Sequence, residues 1–289
     1  MSDIAQTASR KIPIYRGMDQ ASLDAAYNNG AAVPDNAGWL DKWRERSAMI
    51  RESKTAQLDI PYSSKVRTRL DYFPSGVENA PVFVFIHGGY WQRNAKELFS
   101  FAANGPVTRG INAAVIGYTL APEASLTEIV SEIRQGLAFL HQNGSRFGFN
   151  AEQIYVGGWS AGGHLSALVC DEPAVKGSLA ISGIFDLEPI ALSYINAPLQ
   201  LHPDEIETLS PLRTLKSGSA RQCITVGGNE LLELQRQSSL YVETARMLRL
   251  PATIRTLPGH HHFSILDELF EPAGMLTAEL LKLIEVEGR

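Results

Sequence analysis

The feature that most restricts what this chain can fold into is a pentapeptide, Gly158-Trp159-Ser160-Ala161-Gly162, set between an apolar run and a helix-prone run. Ile154-Tyr155-Val156-Gly157 before it has the make-up of a strand buried on both faces, and a helix begins at Ala161. A serine between glycines at a strand-to-helix corner sits on a strained turn that lifts its hydroxyl clear of the backbone. Only glycine leaves room beside it. The helix that follows aims its free N–H groups and its dipole at any oxyanion formed there. Ser160 is therefore the candidate nucleophile, and the Ala161 amide a candidate oxyanion donor. Five residues alone match by chance; the strand before and the helix after carry the reading.

The alternation continues on both sides. Residues 81–86 and 113–118 are further unbroken apolar runs, and 177–181, 223–226 and 252–257 are shorter strand candidates. Helical spacing lies between them: Ile129, Ile133, Leu137 and Leu140 recur every three or four residues within 126–142, and 232–248 and 263–286 are also read as helices. Such alternation makes βαβ units and a mostly parallel central sheet flanked by helices. Residues 58–62 and 66–73 are read as an antiparallel pair at its start. Residues 1–60 are polar and helix-prone, with one helix starting near Ser22 and another over 38–52 that carries Trp39, Leu40, Trp43 and Met49. They are read as a helical N-terminal segment packing on or near the pocket, and 61–289 as the main body of a single domain. Residues 186–215 interrupt the alternation and form a small excursion near the pocket.

A chain of 289 residues, 44% hydrophobic, buries a full core without metal or disulfide staples. Its net charge of -5 gives no footprint for nucleic acid or an anionic membrane. No apolar run reaches spanning length, and residues 1–17 lack the apolar core of a secretion signal. Cys170 and Cys223 lie in apolar surroundings and are read as buried thiols rather than a disulfide. The expected setting is the cytoplasm, without membrane or nucleic-acid partners.

The remaining chemistry follows chain order. His87-Gly88-Gly89-Tyr90-Trp91 comes directly after the strand ending at Ile86; a glycine pair there lets backbone N–H groups face a substrate. His87 is read as a brace for that loop, and His164 as structural. The general base belongs on the loop after the last strand, where His260-His261-His262 stand, and His262 is taken as the base. Neighbouring loop histidines rarely converge on one ion, so no metal is expected. The acid lies between serine and histidine in sequence: Glu230, after the strand 223–226, with Asp186 as its rival and Glu233 third. Trp91, Trp159, Phe185 and His261 are expected to line the substrate pocket.

Taken together these residues resemble the kynurenine formamidase (arylformamidase) branch of the α/β hydrolases, near the hormone-sensitive-lipase-type esterases. The likeness rests on the HGGxW pattern at 87–91, on Gly117-Tyr118-Thr119-Leu120-Ala121-Pro122, on Trp159 to His164, on Ser182 to Leu187, on Arg236-Gln237-Ser238 and on His262-Phe263. It runs from about Tyr27 to the final helix. It implies an α/β-hydrolase fold, Ser160 as nucleophile, His262 as base and Glu230 as acid. It puts the oxyanion hole on the amides of Gly89 and Tyr90 with Ala161, in the loop that Gly88 opens. The family usually has aspartate where this chain has Glu230, and asparagine or aspartate where it has His261. The implied activity is that of a serine hydrolase cleaving an aryl formamide of the N-formylkynurenine kind through an acyl-enzyme, without a cofactor, in an enzyme that allows a homodimer. Two other readings share the same residues: a carboxylesterase of short acyl esters, and a non-catalytic ligand-binding module on the same fold.

Overall fold

The computed structural model describes residues 12–287. The chain opens with helices α1 (Gln20–Ala26), α2 (Asn29–Ala32) and α3 (Asn36–Arg51). The first is capped by Asp19, whose carboxylate accepts from the Ser22 amide, so Ser22 lies inside the helix rather than at its start. Strands β1 (Gln57–Pro61) and β2 (Arg69–Phe73) pair antiparallel, as expected. A boundary at residue 60 falls within β1, which makes the helical segment continuous with the sheet. β3 (Val82–Ile86), α4 (Asn104–Thr108), β4 (Asn112–Ile116), α5 (Leu126–Phe147), β5 (Ile154–Trp159), α6 (Ala161–Leu168) and β6 (Val175–Ile181) follow in alternation. The 186–215 excursion holds three short helices, α7 (Glu188–Ala191), α8 (Asn196–Leu199) and α9 (Pro203–Leu209). β7 (Arg221–Gly227), α10 (Leu232–Met247), β8 (Ala252–Leu257), α11 (Asp267–Phe270) and α12 (Met275–Glu287) complete the chain.

The eight strands form one sheet in the order β1-β2-β4-β3-β5-β6-β7-β8. All pairs from β4 to β8 are parallel, while β2 meets β4 antiparallel. Every residue of β3, β4 and β5 is buried, because helices cover both faces of the centre. α5 shows how local sequence sets an element. Ser125 and Glu128 close a capping box at its start, its apolar stripe faces the sheet, and Gly148 ends it in the left-handed conformation. The single helix expected over 263–286 is broken instead. Glu271 is extended ahead of Pro272, which disfavours helix in the residue before it, and α12 restarts after Gly274.

α3 is where the N-terminal segment meets the sheet. Trp43 is fully buried among Phe99, Phe101, Trp159 and Phe263, with ring centroids 5.2–5.7 Å apart. Lys42 and Arg46 of the same helix both pair with Asp267 at 2.6 Å. The segment is thus fixed over the carboxyl ends of the central strands. No helix among the described residues is long and apolar enough to cross a membrane.

Candidate active site

β5 ends at Trp159, and the chain turns at Ser160 with φ 58° and ψ -116°, a left-handed corner that few L-residues occupy. The corner is held by its backbone: Ser160 N donates to Ile181 O at 2.8 Å, and Ser160 O accepts from His164 N at 3.0 Å. Gly162 is required by close approach, since a Cβ there would strike Ile86 O and His87 O at the end of β3. Ser160 lies at the floor of a cavity of about 190 Å³. Tyr90, Trp159, His262 and Phe263 line it from the loops at the strand ends, and Asn29, Gly30, Asn36 and Leu40 line it from the N-terminal helices. A larger hollow of about 480 Å³ beside Asp59, Arg69 and Lys96 holds neither the serine nor the histidine.

Glu230, at the end of β7, is buried and touches the base. Its Oε2 lies 2.7 Å from His262 Nδ1. Its Oε1 accepts from the Gly227 amide at 2.7 Å and from Ser182 Oγ at 2.6 Å. The imidazole is set by Trp159, whose ring centroid lies 4.7 Å away and whose Nε1 donates to His262 O at 2.7 Å. Asp186 pairs with Arg213 and Glu233 with Arg236, and neither contacts the histidine. Ser160 Oγ makes no hydrogen bond among the described residues, although it shares the cavity with His262. Such contacts are commonly long without substrate and tighten when it binds.

Ser182 was not singled out in the sequence as a site residue. It is fully buried, has φ 51°, and donates its amide to Thr225 O at 2.7 Å. Its position directly after β6, between the strands that carry Ser160 and Glu230, is the signal that points to it.

The loop after β3 winds left-handed through Gly89 (φ 119°), Tyr90 (φ 52°) and Trp91 (φ 59°). Gly89 O accepts from the amides of Gln92 and Arg93, both at 3.0 Å. A Cβ on Gly89 would strike Arg93 O, so the turn closes only with glycine there. The amides of Gly89, Tyr90 and Ala161 have no acceptor among the described residues. Successive amides in such a turn form an anion-binding concavity. Gly88 lies against Trp159 O and Ser160 Cβ, and its carbonyl accepts from Asn94 Nδ2 at 3.2 Å. The Tyr90 hydroxyl donates to Tyr27 O at 2.5 Å and accepts from Asn29 Nδ2 at 3.0 Å. His87 stacks on Tyr118 at 4.3 Å beneath the loop, and burial pushes its pKa down to about 4.

Of the four residues expected in the pocket, Trp159 lines it and three do not. Trp91 is fully buried and meets His164 edge-on at 4.8 Å, because the left-handed turn directs it into the core while Tyr90 faces the cavity. Phe185 stacks on Tyr241 at 4.5 Å in the cluster with Ile224 and Val242, since the chain after Ser182 runs under α10. His261 braces the turn instead: its Nδ1 accepts from the amides of Phe263 and Ser264, both at 3.2 Å, and its ring meets the edge of Trp39. The third histidine, His260, turns to Ser264 O and Glu268. Among the described residues no group of three His, Cys, Asp or Glu is placed to hold a metal.

A parallel sheet with its antiparallel edge, a serine on a strained corner after β5, and loops converging from β3, β7 and β8 define the α/β-hydrolase class. The structure of a Silicibacter protein provisionally called a thioesterase superposes with a TM-score of 0.79 at 27% identity, covering 91% of this chain and 98% of that one. An esterase from Pyrobaculum calidifontis has the same fold, with a TM-score of 0.72 at 16% identity over 91% of this chain and 95% of that one. The BD-FAE family model matches residues 70–177. Within the class the likeness narrows. Kynurenine formamidase of Danio rerio is 31% identical over 242 residues, 78% of this chain and 81% of that protein. Kynurenine formamidase of Salmo salar is 30% identical over 257 residues, 83% and 86% respectively. The chain belongs to the kynurenine formamidase family, and it is a hydrolase of the amide or ester type.

Proposed function

We propose that the protein is a serine hydrolase working through an acyl-enzyme, with an aryl formamide of the N-formylkynurenine kind as substrate. The observation that carries this reading is the contact of buried Glu230 with His262, which lines one cavity with Ser160. With Nδ1–H donated to Glu230, Nε2 is left to take the Ser160 proton, and the carboxylate stabilises the imidazolium that results. Ser160 Oγ then bonds to the formyl carbon. The oxyanion accepts from the amides of Gly89, Tyr90 and Ala161, each such donor contributing a factor of about 100–1000 to turnover. As the C–N bond breaks, His262 passes its proton to the departing amine. A water deprotonated by His262 attacks the formyl-serine, releasing formic acid and restoring the enzyme. No cofactor enters these steps.

The kynurenine formamidase relatives support the substrate, as do the rings of Tyr90, Trp159 and Phe263 around the cavity. This reading places the protein in tryptophan breakdown. A cytoplasmic setting agrees with Cys170 and Cys223, both buried and unpaired, their thiols pushed up to about 12 by burial. A homodimer remains part of the proposal. A carboxylesterase is the second reading. It draws on 35% identity over 126 residues to an isoprenylcysteine alpha-carbonyl methylesterase of Arabidopsis thaliana, 43% of this chain and 30% of that protein.

Hydrolysis of N-formylkynurenine and p-nitrophenyl acetate, measured side by side with Ser160→Ala, tests both. We expect efficient formamide cleavage and a loss on the order of a millionfold in the variant. A variant retaining a tenth of the rate would overturn the mechanism. Strong ester cleavage with negligible formamide cleavage would keep the mechanism and replace the substrate.

A further inference from the structure

The geometry points to Arg93 as the residue that selects substrates whose leaving group carries a negative charge. This rests on the hydrolase reading of the same cavity and adds the charge of its ligand. Among the described residues that line the cavity, Arg93 is the only arginine or lysine, and no aspartate or glutamate is among them. No carboxylate lines the cavity with it, because Glu230 is turned away towards His262, Gly227 and Ser182. Arg93 is exposed, and its guanidinium has no hydrogen bond or ion pair among the described residues. Arg67, Arg134, Arg213 and Arg236, by contrast, are each held by carbonyl or carboxylate acceptors.

The placement of Arg93 is fixed from the backbone. Its amide donates to Gly89 O, and its own carbonyl packs on the Gly89 Cα, so the side chain leaves the same turn that presents the Gly89 and Tyr90 amides. A group bound by the guanidinium therefore lies within one side chain's length of the turn that presents those amides. The guanidinium also lies close enough to Tyr90 and Tyr194 for its charge to act on both phenols, and Tyr194 is itself 45% exposed. An aromatic ring with a carboxylate beyond it fits this order of features. A guanidinium takes a carboxylate through paired N–H donors, a geometry an ammonium does not offer. In a chain of net charge -5, a lone cation on the cavity wall also draws anions locally against the overall field.

The test compares 3-(2-formamidophenyl)propanoate with its neutral isostere 3-(2-formamidophenyl)propanamide. In the wild type, kcat/KM should favour the propanoate by about tenfold or more. Arg93→Gln should abolish that ratio, and Arg93→Lys should keep part of it. The wild-type preference should also shrink as salt is added. Binding of both compounds to Ser160→Ala, with and without Arg93→Gln, is followed by tryptophan fluorescence, which needs no turnover. A ratio near one in the wild type, or one unchanged in Arg93→Gln, overturns the inference. If neither compound is hydrolysed yet the propanoate binds tighter only when Arg93 is present, the formamidase reading falls and the selection of anions by Arg93 stands.

Discussion

At position 230 this chain carries glutamate rather than the aspartate that the family resemblance leads one to expect, and the surroundings suit the longer side chain. The added methylene lets Oε1 fold back onto the Gly227 amide and Ser182 Oγ while Oε2 reaches His262 Nδ1. Ser182 is a positioning residue in the proposed mechanism, acting through the carboxylate. Ser182→Ala should lower kcat about tenfold with KM little changed, and should cost roughly 2 kcal/mol of stability, as expected for a buried hydrogen bond to a charged group. Steady-state kinetics beside urea unfolding checks this; a loss of stability with kcat intact would leave Ser182 a purely structural role. Chain order and strand ends singled out Ser160, Glu230 and His262 in the sequence, and the fold brings Glu230 against His262 and His262 into one cavity with Ser160. It did not tell which aromatic side chains face the cavity. That depends on backbone angles at Tyr90 and Trp91, two adjacent left-handed residues whose side chains part company, one to the cavity and one to the core.

At the level of elements, the loop after β3 depends on the segment that precedes the sheet. Tyr90 is tied to Tyr27 O and Asn29, and Tyr27 in turn bonds Glu233 and Gln237 of α10. Three stretches far apart in sequence thus fix one turn. Tyr90→Phe keeps the ring but removes both contacts. It should cost about 1–2 kcal/mol and lower kcat several-fold, with hydrogen exchange at the loop amides speeding up. Unchanged exchange in the variant would show that the loop holds its shape without the tie. The two helices expected in the N-terminal segment, near Ser22 and over 38–52, were legible from capping residues and tryptophan spacing. The contact of Tyr27 and Asn29 with Tyr90 was not, since no local pattern records which distant loop a segment covers. The break at Pro272 was legible in principle, and the apolar residues on both sides concealed it.

Over the whole molecule, the histidines away from the proposed triad predict how stability responds to acid. Burial pushes His87 and His164 down to about 4, against an ordinary value of about 6.5. The unfolded chain therefore takes up protons between these values while the native one does not, so stability is full above about pH 6.5 and falls as pH drops towards 4. The loss should reach about 3 kcal/mol for each histidine. Urea midpoints at pH 7, 5.5 and 4 should fall in that order, and His164→Gln should flatten the decline; an equally steep decline in the variant would refute the assignment. The cavity has one further consequence. Part of its lining comes from Asn29, Gly30, Asn36 and Leu40, whereas Ser160 and His262 come from loops at the strand ends more than a hundred residues later. Part of the cavity wall and the proposed nucleophile and base are thus written in separate stretches of the gene. Variation at Gly30, Asn36 and Leu40, with Asn29 kept for its tie to Tyr90, gives evolution, or a protein engineer, a route to new substrates that leaves the Glu230–His262 pair and Ser160 in place.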